Sequence, residues 1–181
     1  MNIDLNKIPC FGIAGNFTGH LEQAGEAEDF KKLTSKDAAA PKGIFPTYIP
    51  AVSEKVPAFL SEYPFTDSAV VFPDGEQNIQ MEPECGMVFD FTIKDGKVTA
   101  VSPVCFAASN DCTIRRAGAK KISIKKNWGK NSKGASSNFI AVNDFSPKGN
   151  IADYRIASYL LRNGEIFEYG ENSSAGSYSY F

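Results

Sequence analysis

The chain has 181 residues, 43% hydrophobic and 12% aromatic, which excludes a disordered chain and allows one substantial core. Nineteen basic and 21 acidic residues leave a net charge of −2, which argues against a phosphate-backbone binder. No stretch approaches the ~20 apolar residues of a membrane span. The expectation is one cytoplasmic domain over residues 1–181, with no nucleic-acid or membrane partner. The start "MNIDLNKIPC" lacks the basic and apolar regions of a signal peptide. Cysteines 10, 85, 105 and 112 form no CxxC pair and are expected as reduced thiols.

In chain order, "IPCFGIAGNFTGHLEQAGE" carries the single histidine, His20, behind a Gly-rich turn. A histidine so placed suits a general base that arrives when a lid closes. Short helices are expected over Glu22–Leu33 and Val52–Glu62. "SAVVFP" reads as a strand ending at Pro73. "CGMVFDFTIKDGKVTAVSPVCF" is a hairpin turning at Asp95-Gly96, because both turn residues tolerate positive φ. "AKKISIKK" alternates cations with apolar residues and reads as a strand with a solvated face. "NFIAV" is a further strand, and "DYRIASYLLRNGEIFEYG" a second hairpin turning at Asn163-Gly164. The pattern is α+β and β-dominated, with a few short helices. Residues 1–65 form the segment bearing His20, and residues 66–181 the β-rich core.

Within "NIQMEPECGMVFDF", Glu82 and Glu84 stand two apart on a strand and so share a face. Two carboxylates that close repel unless one takes a proton or a cation sits between them. Asp111, in "CFAASNDCTIRR", follows a strand and supplies a third hard oxygen donor. Three carboxylates with room for water match the preference of Mg²⁺ or Mn²⁺, with Ca²⁺ as an alternative.

Several stretches in order then resemble the fumarylacetoacetate hydrolase superfamily. They are "AGNFTGH" near the N-terminus, "QMEPECGMVF" for the family's Glu-x-Glu strand, "NDCTIRR", "WGKNSKGASSNFIAV" for its Gly-Lys motif, and "LLRNGEIFEYGENSS". The resemblance implies a mixed β-roll with a divalent cation at its mouth, in a homodimer. It implies Glu82, Glu84 and Asp111 as metal ligands, His20 as the base on the lid, and Lys130, with Lys126 as the alternative, as the cation facing developing oxyanion charge. The family's acid partner of the histidine falls at Gln23, leaving that role to Glu22 beside it or to Glu26 a turn further on. Asn16, Asn110 and Arg115 are the implied substrate-binding residues. The implied activity is metal-dependent, on a small 2-oxo acid or 1,3-diketone, through an enolate: C–C hydrolysis, decarboxylation or isomerisation. The family's closing "GTPxGVG"-like loop has no counterpart before "SAGSYSYF". A non-catalytic binding or assembly protein on the same fold is the alternative.

Overall fold

The structure is a computed structural model that describes residues 3–14, 43–51, 53–115 and 122–173. The expected helix over 22–33 lies outside these residues, as do Asn16, His20 and Glu22.

A long ribbon dominates the fold. Strand β5 (Pro83–Lys94) and strand β6 (Lys97–Asn110) pair antiparallel along their whole length. Asp95 and Gly96 turn it with φ of 51° and 71°, the doubly positive pair a tight two-residue hairpin turn requires. The second expected hairpin forms in the same way. Strands β10 (Arg155–Arg162) and β11 (Glu165–Ser173) pair around Asn163 and Gly164, at φ of 54° and 82°.

At its base the first ribbon becomes part of a mixed sheet. β6 also pairs with β8 (Lys133–Ala135), which runs parallel to β3 (Phe65–Thr66), giving the order β3-β8-β6-β5. β9 (Ile140–Ala141), the strand expected in "NFIAV", joins β6 beside Cys105 and Phe106. Beyond the base, β4 (Ile79–Gln80) and β7 (Thr113–Ile114) make a separate two-residue ladder. The chain around Glu82 and Asp111 lies between the two ladders.

The described core is small and sits at this base: Leu60, Cys105, Phe106, Ile114 and Ile151 are buried. The Phe106 ring meets Tyr154 edge-on at 5.0 Å. Upstream, β1 (Cys10–Ala14) pairs with β2 (Gly43–Tyr48), two strands the sequence reading did not anticipate. Gly12 faces Phe45, and a Cβ there would lie 2.3 Å from the ring, so only glycine lets the ring lie flat on its partner strand.

Three local expectations fail. "AKKISIKK" contains a one-turn helix, α2 (Ile122–Lys126), with Lys126 buried, where a strand with a solvated face was expected. "SAVVFP" forms no ladder. Val71 instead donates its N–H to the Asn131 carbonyl, and its own carbonyl accepts from the Trp128 indole at 2.9 Å. The helix expected over 52–62 shrinks to α1 (Ala58–Ser61). The coarse expectation holds: a β-dominated α+β chain with few, short helices. Among the described residues no helix is long and apolar enough to cross a membrane.

Candidate functional site: a buried cluster of lysines and carboxylates

Register builds the site. β5 and β6 end with Pro83 opposite Asn110, and β6 and β8 with Asn110 opposite Gly134. One step further along each strand stand Glu82, Asp111 and Lys133, in one row across three strands. The backbone holds that row in line. The Asp111 N–H donates to the Glu82 carbonyl at 2.9 Å, and the Glu82 N–H donates to Asn110 Oδ1 at 2.9 Å. Asn110, expected at substrate, here braces the strand carrying Glu82.

The acids are met by buried cations. Lys133, 2% exposed, pairs with Asp111 Oδ1. Lys126, 3% exposed, reaches in from α2 and lies 2.6 Å from Glu82 Oε2 and 2.8 Å from Asp111 Oδ2. Its Nζ is also 3.5 Å from the Asp111 carbonyl. One ammonium thus bridges both carboxylates. The other oxygen of Glu82 accepts from Thr113 Oγ1 at 2.5 Å and faces Arg115 at 3.4 Å. Arg115 is oriented by two bonds to Gln80 Oε1, at 2.8 and 2.6 Å. Phe45 closes the apolar side, its ring centre 6.0 Å from the Lys126 ammonium.

These contacts set the ionisation. Burial alone would raise the Asp111 carboxyl, but the charges of Lys133 and Lys126 outweigh it and hold the group below its ordinary value. Burial would lower Lys126, yet Asp111 and Glu82 lift it above its ordinary value, so it stays an ammonium. Glu84 differs. Among the described residues its carboxyl makes no hydrogen bond or ion pair, and burial, then the charge of Asp111, push it up to about 8. Burial also lifts the Cys85 and Cys112 thiols to about 11, which leaves neither a ready nucleophile.

The structure therefore brings together Glu82, Asp111, Arg115 and Asn110, with Glu84 close enough to feel their charges. It does not bring Lys130 to them: that side chain is exposed, and Lys126 and Lys133 hold the position expected of it. Lys133 was missed, although "SKGASS" is a small-residue strand whose lysine sits one residue before the ladder to β6. Among the described residues no three His, Cys, Asp or Glu side chains stand together as a ready metal cluster. Among the described residues two buried polar atoms lack a partner, Asn127 Oδ1 and Ser132 Oγ, each adjoining one of the two lysines in sequence.

Fold and site together define a β-dominated α+β domain organised around a buried lysine–carboxylate cluster. Residues 26–181 match the Family of unknown function (DUF5718), and the chain belongs to that family. The match includes every residue of the cluster and leaves out Asn16, His20 and Glu22. No curated protein matches the chain in sequence.

Proposed function

We propose that the protein is a divalent-metal-dependent enzyme acting on a small 2-oxo acid or 1,3-diketone, on a β-roll of the fumarylacetoacetate hydrolase type. One observation carries the reading: carboxylates just beyond the ends of two paired strands, Glu82 and Asp111, converge on a single point occupied by a cation, the Lys126 ammonium. The donors are hard oxygens, matching Mg²⁺ or Mn²⁺, and Glu84 beside them is a buried acid with no ion pair of its own among the described residues. The chemistry of the donor set fits a divalent ion once the ammonium withdraws, with Glu84 as the third carboxylate. Such an ion supplies Lewis-acid stabilisation of enolate charge. The chain's own part is to place positive charge around an anionic substrate. Lys133 and Arg115, fixed by Asp111 and Gln80, are preorganised for a carboxylate or oxyanion. His20 is proposed as the base, with Glu22 as its partner and Asn16 contacting substrate.

The same bridging ammonium favours a second reading. Lys126 already neutralises the acid pair, which suits a non-catalytic relative that keeps the fold as a binding or assembly module. Calorimetry with Mg²⁺ and Mn²⁺ on the wild type and Glu84→Ala, with turnover assays on oxaloacetate and acylpyruvates, separates the two. The enzyme reading expects metal binding weakened by Glu84→Ala and turnover abolished by His20→Ala. Equal metal affinity in both proteins, with no turnover, leaves the second.

The homodimer is part of the proposal. Its support is the exposed apolar surface of the hairpins: Phe91, Ile93, Val98 and Val101 on one, Leu161 and Ile166 on the other. Six such side chains at roughly 100 Å² each approach the ~800 Å² per partner of a standard interface. A second copy presents the same apolar faces and satisfies both at once.

A further inference from the structure

We propose that Lys126 is a tethered counter-cation that competes with a free divalent cation for the Glu82–Asp111 pair, so that filling the site expels Lys126 from it. This rests on the metal-dependent reading above and adds to it how the site is opened and closed.

The geometry around Nζ is that of a small cation held by oxygens. Glu82 Oε2, Asp111 Oδ2 and the Asp111 carbonyl lie at 2.6, 2.8 and 3.5 Å, so all three ammonium protons have an acceptor. A divalent ion drawn to those oxygens meets the ammonium at its own binding point. At a few ångströms in a buried site, the like charges cannot share it. The acids need not move when Lys126 leaves. Each is anchored through its other oxygen, Glu82 by Thr113 and Arg115, Asp111 by Lys133. The departing group, by contrast, is carried on a single helical turn. α2 is five residues long, far below the length at which a helix is stable alone. Among the described residues the Phe45 ring lies against its Lys126 and, just past its end, the Trp128 indole donates to Val71, while the bond from Asn127 Nδ2 to the Ser123 carbonyl at 2.7 Å is internal to the turn. An acid pair anchored through its other oxygens, facing a lysine on a single helical turn, is the arrangement that exchanges one cation for another.

The wild-type chain tests this without mutation. Its amines are acetylated with and without saturating Mg²⁺, and each lysine is read by mass spectrometry. Lys126 should be protected without metal and labelled at least fivefold faster with it. Lys133 should stay protected throughout, and exposed Lys130 should react equally in both. In a second arm, calorimetry should find Lys126→Met binding Mg²⁺ at least tenfold tighter than wild type. Mg²⁺ binding to wild type with Lys126 still protected, or equal affinity in the two proteins, overturns the competition and leaves the metal site standing. No Mg²⁺ binding by either folded protein overturns both. If Lys126→Met does not fold, the labelling arm decides alone.

Discussion

The two ends of the β5–β6 ribbon invert the usual order of a globular protein. At its base, charges are inside: Glu82, Lys126 and Lys133 are almost wholly withdrawn from water. Towards its tip, large apolar groups are outside: Ile93 is 66% exposed, with Phe91, Val98 and Val101 beside it. The pairing explains why the tip is one-sided. Phe91 faces Val101 and Ile93 faces Val98, while Asp90 opposite Ser102 and Thr92 opposite Ala100 take the other face. One strand pair therefore carries a dry polar centre and a wet apolar face. Buried charge is expensive unless paired, and exposed apolar surface gains by being covered. The base holds paired charge and the tip presents apolar surface, and substitutions at each should fail differently.

The largest effect is expected at the base. Lys133→Met leaves Asp111, among the described residues, with Lys126 alone as buried cation and should destabilise the fold by about 3–5 kcal/mol, read from denaturant midpoints. Adding Asp111→Leu should restore much of the loss, because both partners are then gone. A loss under about 1 kcal/mol for Lys133→Met alone, as at an exposed ion pair, would mean that the base is wetter than its burial implies.

How much of this contrast was legible beforehand depends on how local the signal is. Asp95-Gly96 and Asn163-Gly164 announce their hairpins within two residues, and both form. Glu82, Glu84 and Asp111 were grouped as hard oxygen donors and by the family resemblance, and the structure brings Glu82 and Asp111 together on Lys126. Lys133 was not legible, because its place depends on the register of β8 against β6, a pairing that joins residues about 25 apart. Lys126 was misread because the alternation over residues 121–125 looks like a strand, and one helical turn is too short to display a 3.6-residue period. β1 and β2 were missed for a related reason: their partners lie across residues 15–42, and Gly12 reads as a loop residue until Phe45 is seen lying on it.

Glu84 gives the next effect, and it has a sign. An acid whose folded pKa lies above its unfolded one binds an extra proton when folded. Its contribution to stability is therefore lost as pH climbs from about 4.5 through 8. The slope is at most about 1.4 kcal/mol per pH unit. Asp111, held below its ordinary value, acts in reverse: its contribution is present at neutral pH and is lost on acidification. Glu84→Gln should flatten the loss of stability between pH 5 and about 8 while leaving the acid limb in place. Urea melts across that range check it, and an unchanged slope would remove Glu84 from the charged centre.

At the tip, Phe91→Asp should change the stability of the single chain by no more than about 0.5 kcal/mol, since the ring is already largely in water. Its effect belongs to assembly. Sedimentation velocity should show the wild type self-associating and Phe91→Asp shifted towards monomer. A wild type that sediments as a monomer at all concentrations would take the second copy away from this face.

The smallest effect sharpens the comparison most, because it separates two lysines three residues apart. Lys130 and Lys133 flank a bend at Asn131, whose φ of 53° turns the backbone between them. On one side Lys130 is left in solvent; on the other, Lys133 enters β8 and the buried row. Lys130→Ala should therefore leave stability within about 0.5 kcal/mol of wild type and leave Mg²⁺ affinity unchanged, while Lys133→Met disturbs both. Should Lys130→Ala lower metal affinity or turnover tenfold, the lysine at the Gly-Lys motif works from outside the cluster, and the division between a charged interior and a passive surface would have to be redrawn at Asn131.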